Sequence, residues 1–181
     1  MKNKFIYILL INILLCKTWE IDTANSHIKY TGEHRLHSWT GKTSEIDFKM
    51  PCNGDFCTLE ISAPLESFDS GNDGRDSNML YYTESLLYPN VTFVSDYFSF
   101  SGYFDEEMEI TGKLTFHGVT KEITVKVILY ENSFGTWGQC DFDINLSSFD
   151  VDSEIFSNGD INGIPLTDLE LTQEKPYAIL T

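Results

Sequence analysis

Positive charge is scarce in this chain: 12 Lys and Arg stand against 28 Asp and Glu, a net charge of −16 over 181 residues. A field of that sign repels phosphate backbones and anionic headgroups, which excludes nucleic acid as a partner. Proline is sparse too, at 5 residues, and no Pro- or Ser-rich linker divides the sequence. A single domain is expected. Long apolar runs are missing: the stretch Phe5 to Leu15 is interrupted by Asn12 and falls short of the roughly 20 residues a membrane helix needs. Its basic start, Met1 to Lys4, and the charged sequence from Lys17 onward make it a secretory signal, residues 1–18, ahead of a domain over 19–181. The alternative is a lipoprotein acylated at Cys16, against which Leu15 stands where a small residue is usual. The expected location is therefore outside the cytoplasm, periplasmic or secreted.

Chemistry-bearing motifs are also wanting. The sequence has no Gly-x-Ser-x-Gly elbow, no phosphate loop and no dinucleotide fingerprint, so neither a cofactor nor a catalytic role is expected. Beyond Cys16 the cysteines are Cys52, Cys57 and Cys140. Cys52 and Cys57 bracket Asn-Gly-Asp-Phe between two strand-like runs, which suits a disulfide across a hairpin mouth in an exported protein. Two such cysteines without a second ligand pair do not make a zinc site. His34 and His37 lie three apart, on opposite faces of a strand, and read as hydrogen-bonding residues at a strand end rather than ligands of a shared metal. Asp69 to Gly74 resembles the start of a calcium loop, but its third position is Gly71 and its twelfth is Leu80 rather than Glu. No metal is expected.

What the sequence does have is large apolar side chains, 13 Phe, 9 Tyr and 3 Trp, on a period of two. Ile28 and Tyr30 alternate with polar neighbours, as do Ile46, Phe48 and Met50, then Leu59, Ile61 and Ala63. The same holds for Ile110, Leu114 and Phe116, for Ile123, Val125, Val127 and Leu129, for Phe142, Ile144 and Leu146, and for Leu169 and Leu171. With Val91 to Phe100, where both phases carry aromatics, about eight strands result. Asn53-Gly54, Gly118, Gly135, Gly138 and Asn158-Gly159 supply the turns. One segment breaks the period: Asp73 is placed to cap a short helix with Asp76 at its third position, Met79, Leu80, Leu86 and Leu87 on its apolar face, and Pro89 beyond its end. Arg75 is expected to pair with Asp73 or Asp76. Antiparallel strands with one wet face build either a two-sheet sandwich or a closed barrel, and period alone does not choose.

Three stretches resemble the YceI-like family of exported bacterial proteins: Phe68 to Asp76, F-D-S-G-N-D-G-R-D; Tyr88 to Phe93, Y-P-N-V-T-F; and Ile110 to Val125, I-T-G-K-L-T-F-H-G-V-T-K-E-I-T-V. Upstream, Ser26 to Gly41 is similar to that family's first hairpin. The resemblance implies an all-β fold, an extended eight-stranded antiparallel lipocalin-like β-barrel with one short helical insertion, enclosing an apolar channel for a polyisoprenoid or comparable lipid. Departures are present: Asn78 stands where many members carry His, and Phe149-Asp150-Val151 where many carry Phe-Gly-aliphatic.

The expected function is thus to bind and shield or carry a long apolar lipid in the barrel of an envelope protein, monomeric or weakly dimeric. A lipid-modifying enzyme with a polar residue such as His37 at the mouth, and a non-binding adhesion or scaffold barrel, are the alternatives. Strand phase nominates Phe48, Ile61, Phe93, Leu114, Phe116, Val125, Val127, Phe142 and Ile144 as ligand-contacting residues. The helical segment adds Met79, Tyr81, Tyr82, Leu86 and Leu87 as a lid or channel wall.

Overall fold

The computed structural model describes residues 17–19, 21–34, 37–99, 104–132, 135–151 and 166–173. The signal sequence up to residue 16 and the Asn158-Gly159 turn lie outside them. Strands dominate: β1 (Lys17–Trp19), β2 (Ser26–His34), β3 (His37–Thr43), β4 (Asp47–Asn53), β5 (Phe56–Cys57), β6 (Glu60–Pro64), β7 (Asn90–Ser95) and β8 (Phe98–Ser99) precede β9 (Glu107–Phe116), β10 (Val119–Asn132), β11 (Gly135–Asp141), β12 (Asp143–Ile144) and β13 (Leu166–Gln173). One helix, α1 (Asp73–Tyr82), sits between β6 and β7.

The strands form two antiparallel sheets. The larger runs β11-β10-β9-β7-β6-β4-β5-β8, with β1 added against β4, and the smaller runs β12-β13-β2-β3. The antiparallel all-β architecture with a single helix agrees with the sequence. Closure does not: no continuous ladder joins the two sheets into a barrel among the described residues, although β11 packs beside β13 and a lone bridge links Lys42 to Asp69.

Alternation carries through to burial. Ile28 and Tyr30 on β2, Ile110, Leu114 and Phe116 on β9, and Val125, Val127 and Leu129 on β10 are buried in one core. On β7, where the sequence was ambiguous, Val91, Phe93 and Ser95 point inward and Val94 is exposed. The β9–β10 hairpin turns on His117 and Gly118 at φ 49° and 73°, the pair of positive angles that a two-residue hairpin of right-handed twist requires. The β4–β5 hairpin likewise turns at Gly54, φ 62°, and joins Cys52 to Cys57 by a disulfide. Gly135 and Gly138, expected in turns, instead lie within β11, where Gly138 faces Leu129 in register. A Cβ at Gly138 would stand 3.1 Å from Leu129 Cδ2, so this glycine serves close approach of side chains rather than chain reversal.

The helical segment differs from expectation in three respects. Its cap is Asn72, whose extended backbone and side-chain acceptance from the Arg75 N–H mark the cap position. Asp73 is therefore the first helical residue, where with Asp76 it faces the positive end of the helix dipole. The helix stops at Tyr82 rather than near Pro89, because Thr83 Oγ1 bonds back to the Met79 carbonyl at 2.8 Å and Glu84 turns left-handed at φ 46°. Leu86 and Leu87 consequently leave the apolar face and are 99% and 69% exposed, whereas Met79 and Leu80 pack against the core. Finally, the Arg75 guanidinium lies 5.3 Å above the Trp39 ring, while the Asp76 carboxylate accepts from the Ser70 N–H.

Candidate ligand-binding site

A cavity of about 150 Å³ opens inside the fold. Its walls follow from the strand phase: Phe48 and Met50 on β4, Ile61 on β6, Val91 and Phe93 on β7, Ile110 and Leu114 on β9, and Val125, Val127 and Leu129 on β10 all line it. Ser26, His27 and Ile28 bring in β2 of the smaller sheet, and Thr136 to Cys140 bring in β11, so both sheets contribute. Trp137 stacks on Tyr130, its partner across the β10–β11 ladder, with ring centroids 5.3 Å apart.

The cavity does not run evenly along the strands. Phe116 and Phe149 meet edge to face at 5.9 Å between centroids near the His117 turn, and neither lines the cavity. The open volume instead reaches toward Phe98, Leu59, Met50 and Trp19, beside the Cys52–Cys57 hairpin. Among the described residues no Lys, Arg, Asp or Glu lines the space. With Ser26, His27, Thr136 and Gln139 as its polar members, the lining is otherwise apolar and favours apolar guests. Among the described residues no group of three or more His, Cys, Asp and Glu side chains is placed to hold a metal ion.

Of the residues nominated from sequence, Phe48, Ile61, Phe93, Leu114, Val125, Val127 and Phe142 are brought together around the cavity. Phe116 and Ile144 belong to the core outside it. Met79, Tyr81, Tyr82, Leu86 and Leu87 do not line it, and Tyr81 is 75% exposed. The segment therefore forms no lid over this space. Sequence reasoning passed over Trp19, Phe98, Trp137, Gly138 and Cys140, which do line it. The strand Gly135–Asp141 was hidden by its two glycines, and the alternation Trp137, Gln139 against Gly138, Cys140 is too weak to signal one.

A second cluster lies outside the cavity. Tyr30 packs against Phe68 at 5.7 Å between centroids and over Gly41, where any Cβ would collide with its ring. Burial pushes the Tyr30 hydroxyl up to about 12, the Asp76 charge adding to the rise and Arg75 and Trp39 opposing it.

Comparison with known proteins agrees with this architecture. Residues 19–166 match the model of the YceI-like domain. The chain belongs to the YceI-like family. Protein YceI of Escherichia coli O6:H1 is 24% identical over 154 residues, covering 76% of this chain and 78% of that protein. Protein YceI of Salmonella newport is 25% identical over 151 residues, with the same coverage. Among solved structures, BcnA of Burkholderia cenocepacia superposes with a TM-score of 0.68 at 18% identity, covering 84% of this chain and 96% of its own. A polyisoprenoid binding domain from Saccharophagus degradans gives 0.65 at 18% identity, covering 90% and 99%. At such identities these likenesses speak for a shared YceI-like fold.

Proposed function

We propose that this YceI-like protein binds a long apolar lipid, a polyisoprenoid or a chain of similar cross-section, in the cavity between its two sheets, and shields or carries it in the envelope of an exporting bacterium. The observation that carries this reading is the cavity itself, lined mostly by Ile, Leu, Val, Phe, Met and Trp, with Ser26, His27, Thr136 and Gln139 as its polar members and no Lys, Arg, Asp or Glu among the described residues. A long chain gains affinity from length there, at about 0.8 kcal/mol per buried methylene, without needing hydrogen bonds. The description of the Saccharophagus degradans neighbour as a polyisoprenoid binding domain supports the ligand class. In this reading the seven nominated residues around the cavity contact the ligand, the protein binds without turning its ligand over, and packing of β11 beside β13 completes the wall of a barrel. Export after residue 18 fits a disulfide between Cys52 and Cys57.

Organic extraction of protein purified from its native envelope, followed by mass spectrometry, tests the proposal. A stoichiometric long-chain lipid is the expected result. Protein that emerges empty and takes up no isoprenoid alcohol or fatty chain on incubation would overturn it.

A further inference from the structure

The cavity stops inside the fold, although the strands that wall it run on. On β9, Ile110 and Leu114 line it, and the next inward residue, Phe116, does not. On β10, Leu129, Val127 and Val125 line it, and Ile123 does not. On β7 it reaches Val91, one step past the Thr92–Thr115 pair and therefore level with Phe116. The Phe116 ring thus stands immediately beyond the last open space. It meets the ring of Phe149 edge to face, and both residues are 2% exposed. Phe149 is carried by a separate element, the 3₁₀ turn Leu146–Phe149. Two aromatic rings packed to interior density leave no gap for a further methylene, so a chain that reaches them goes no deeper.

We propose that the Phe116–Phe149 pair is the floor of the cavity and sets the length of apolar chain that it accepts. This rests on the reading of the cavity as a lipid site and adds the element that selects among its ligands. The open volume lies toward Trp19, Phe98 and Leu59, so a chain seated in it points its tail at the two rings. Each methylene that passes between the apolar walls raises affinity by about fourfold. Once the tail meets the floor, further carbons remain near the mouth, where they leave less water behind and add little. Affinity therefore climbs with chain length and levels off at a length that the floor fixes. Neither ring carries a polar atom, so this selection reads length and is indifferent to the head of the ligand.

The experiment uses delipidated mature protein and straight-chain primary alcohols from octanol to eicosanol, delivered from cyclodextrin in competition with a fluorescent apolar reporter. Wild-type affinity should rise by about fourfold per carbon up to a break and then level off. Phe116→Ala removes one ring and should move the break outward by roughly four carbons, and Phe149→Leu, which removes less, should move it by fewer. Phe68→Ala opens the same void beside Tyr30, outside the cavity lining, and should leave the break in place. A break unmoved in Phe116→Ala, or moved as far by Phe68→Ala, would overturn the floor while leaving the lipid site standing. Wild-type affinity that climbed through the whole series without a break would do the same. If wild type bound none of the alcohols, the lipid site itself would fall, and this inference with it. Should Phe116→Ala not fold, Phe116→Leu takes its place with a smaller outward shift expected, and an unmoved break there counts equally against the floor.

Discussion

The Nδ1 of His117 lies 2.9 Å from the carbonyl oxygen of Phe149, and because a carbonyl only accepts, this nitrogen carries the proton. The other ring nitrogen, Nε2, stands 3.0 Å from a Glu84 carboxylate oxygen, and Tyr88 packs edge-on to the ring at 5.0 Å. One turn residue thus fastens the β9–β10 hairpin to the 3₁₀ turn at Leu146–Phe149 and to the segment after α1. His117→Ala should cost about 1–3 kcal/mol in urea unfolding, since it orphans a buried acceptor, and leave lipid content unchanged, His117 being outside the cavity lining. His117→Asn should lose less, because Asn tolerates the left-handed backbone at φ 49°. A large loss of lipid in either variant would contradict the placement of the cavity.

Neighbouring positions on β10 separate the inside from the outside. Val125 is 4% exposed and lines the cavity, whereas Lys126 is exposed and reaches Glu107 at 2.8 Å. Val125→Asp should abolish lipid retention or folding, because a buried unpaired carboxylate is costly. Lys126→Asp removes an exposed ion pair and should change stability by less than about 1 kcal/mol. Lipid content and thermal stability of the two variants check this, and equal behaviour would mean that the inward phase has been misassigned.

Alkaline pH should weaken the fold through Tyr30. Its folded-state value is lifted from 10.0 to about 12, so between those limits the unfolded chain has released the phenolic proton that the folded protein still holds. The contribution is complete below pH 10 and disappears as pH rises through 12. Its size is at most about 2 kcal/mol once solvent screening is allowed for. Urea unfolding of wild type and Tyr30→Phe at pH 9 and near pH 11.5 should show a shallower alkaline decline in the variant; parallel declines would remove Tyr30 from the account.

Asp150 offers a stabilising change. It ends the Leu146–Phe149 turn at φ 56°, a conformation that glycine enters without steric penalty. Asp150→Gly should therefore leave stability equal or raise it by up to about 1 kcal/mol, the gain being limited by the added freedom of the unfolded chain. A clear loss in the melting temperature would show that the Asp150 side chain is itself used.

The strand phases were legible because a period of two survives wherever one face is dry: Ile110, Leu114 and Phe116 bury as their spacing demands. On β7 the outward Val94 matches the inward Val91 and Phe93 in character, and only packing distinguishes them. The cavity was half legible. Phe48, Ile61 and Val125 follow from phase, but Trp137 and Cys140 sit on a strand whose glycines read as turns. The helix end was misjudged because Thr83 competes for the Met79 carbonyl, a local bond that the Leu86 and Leu87 pattern cannot announce. Sandwich against barrel depends on pairing between β-strands far apart in sequence, which no local pattern records.

Where β11 lies beside β13, the described residues touch without sharing a ladder. Within either sheet, moving two strands apart strains a whole row of backbone hydrogen bonds at once. Between β11 and β13 no continuous ladder of that kind is present among the described residues. The stiffest part of the cavity wall is therefore the face built by β10, β9, β7, β6 and β4, which share one unbroken row of paired strands.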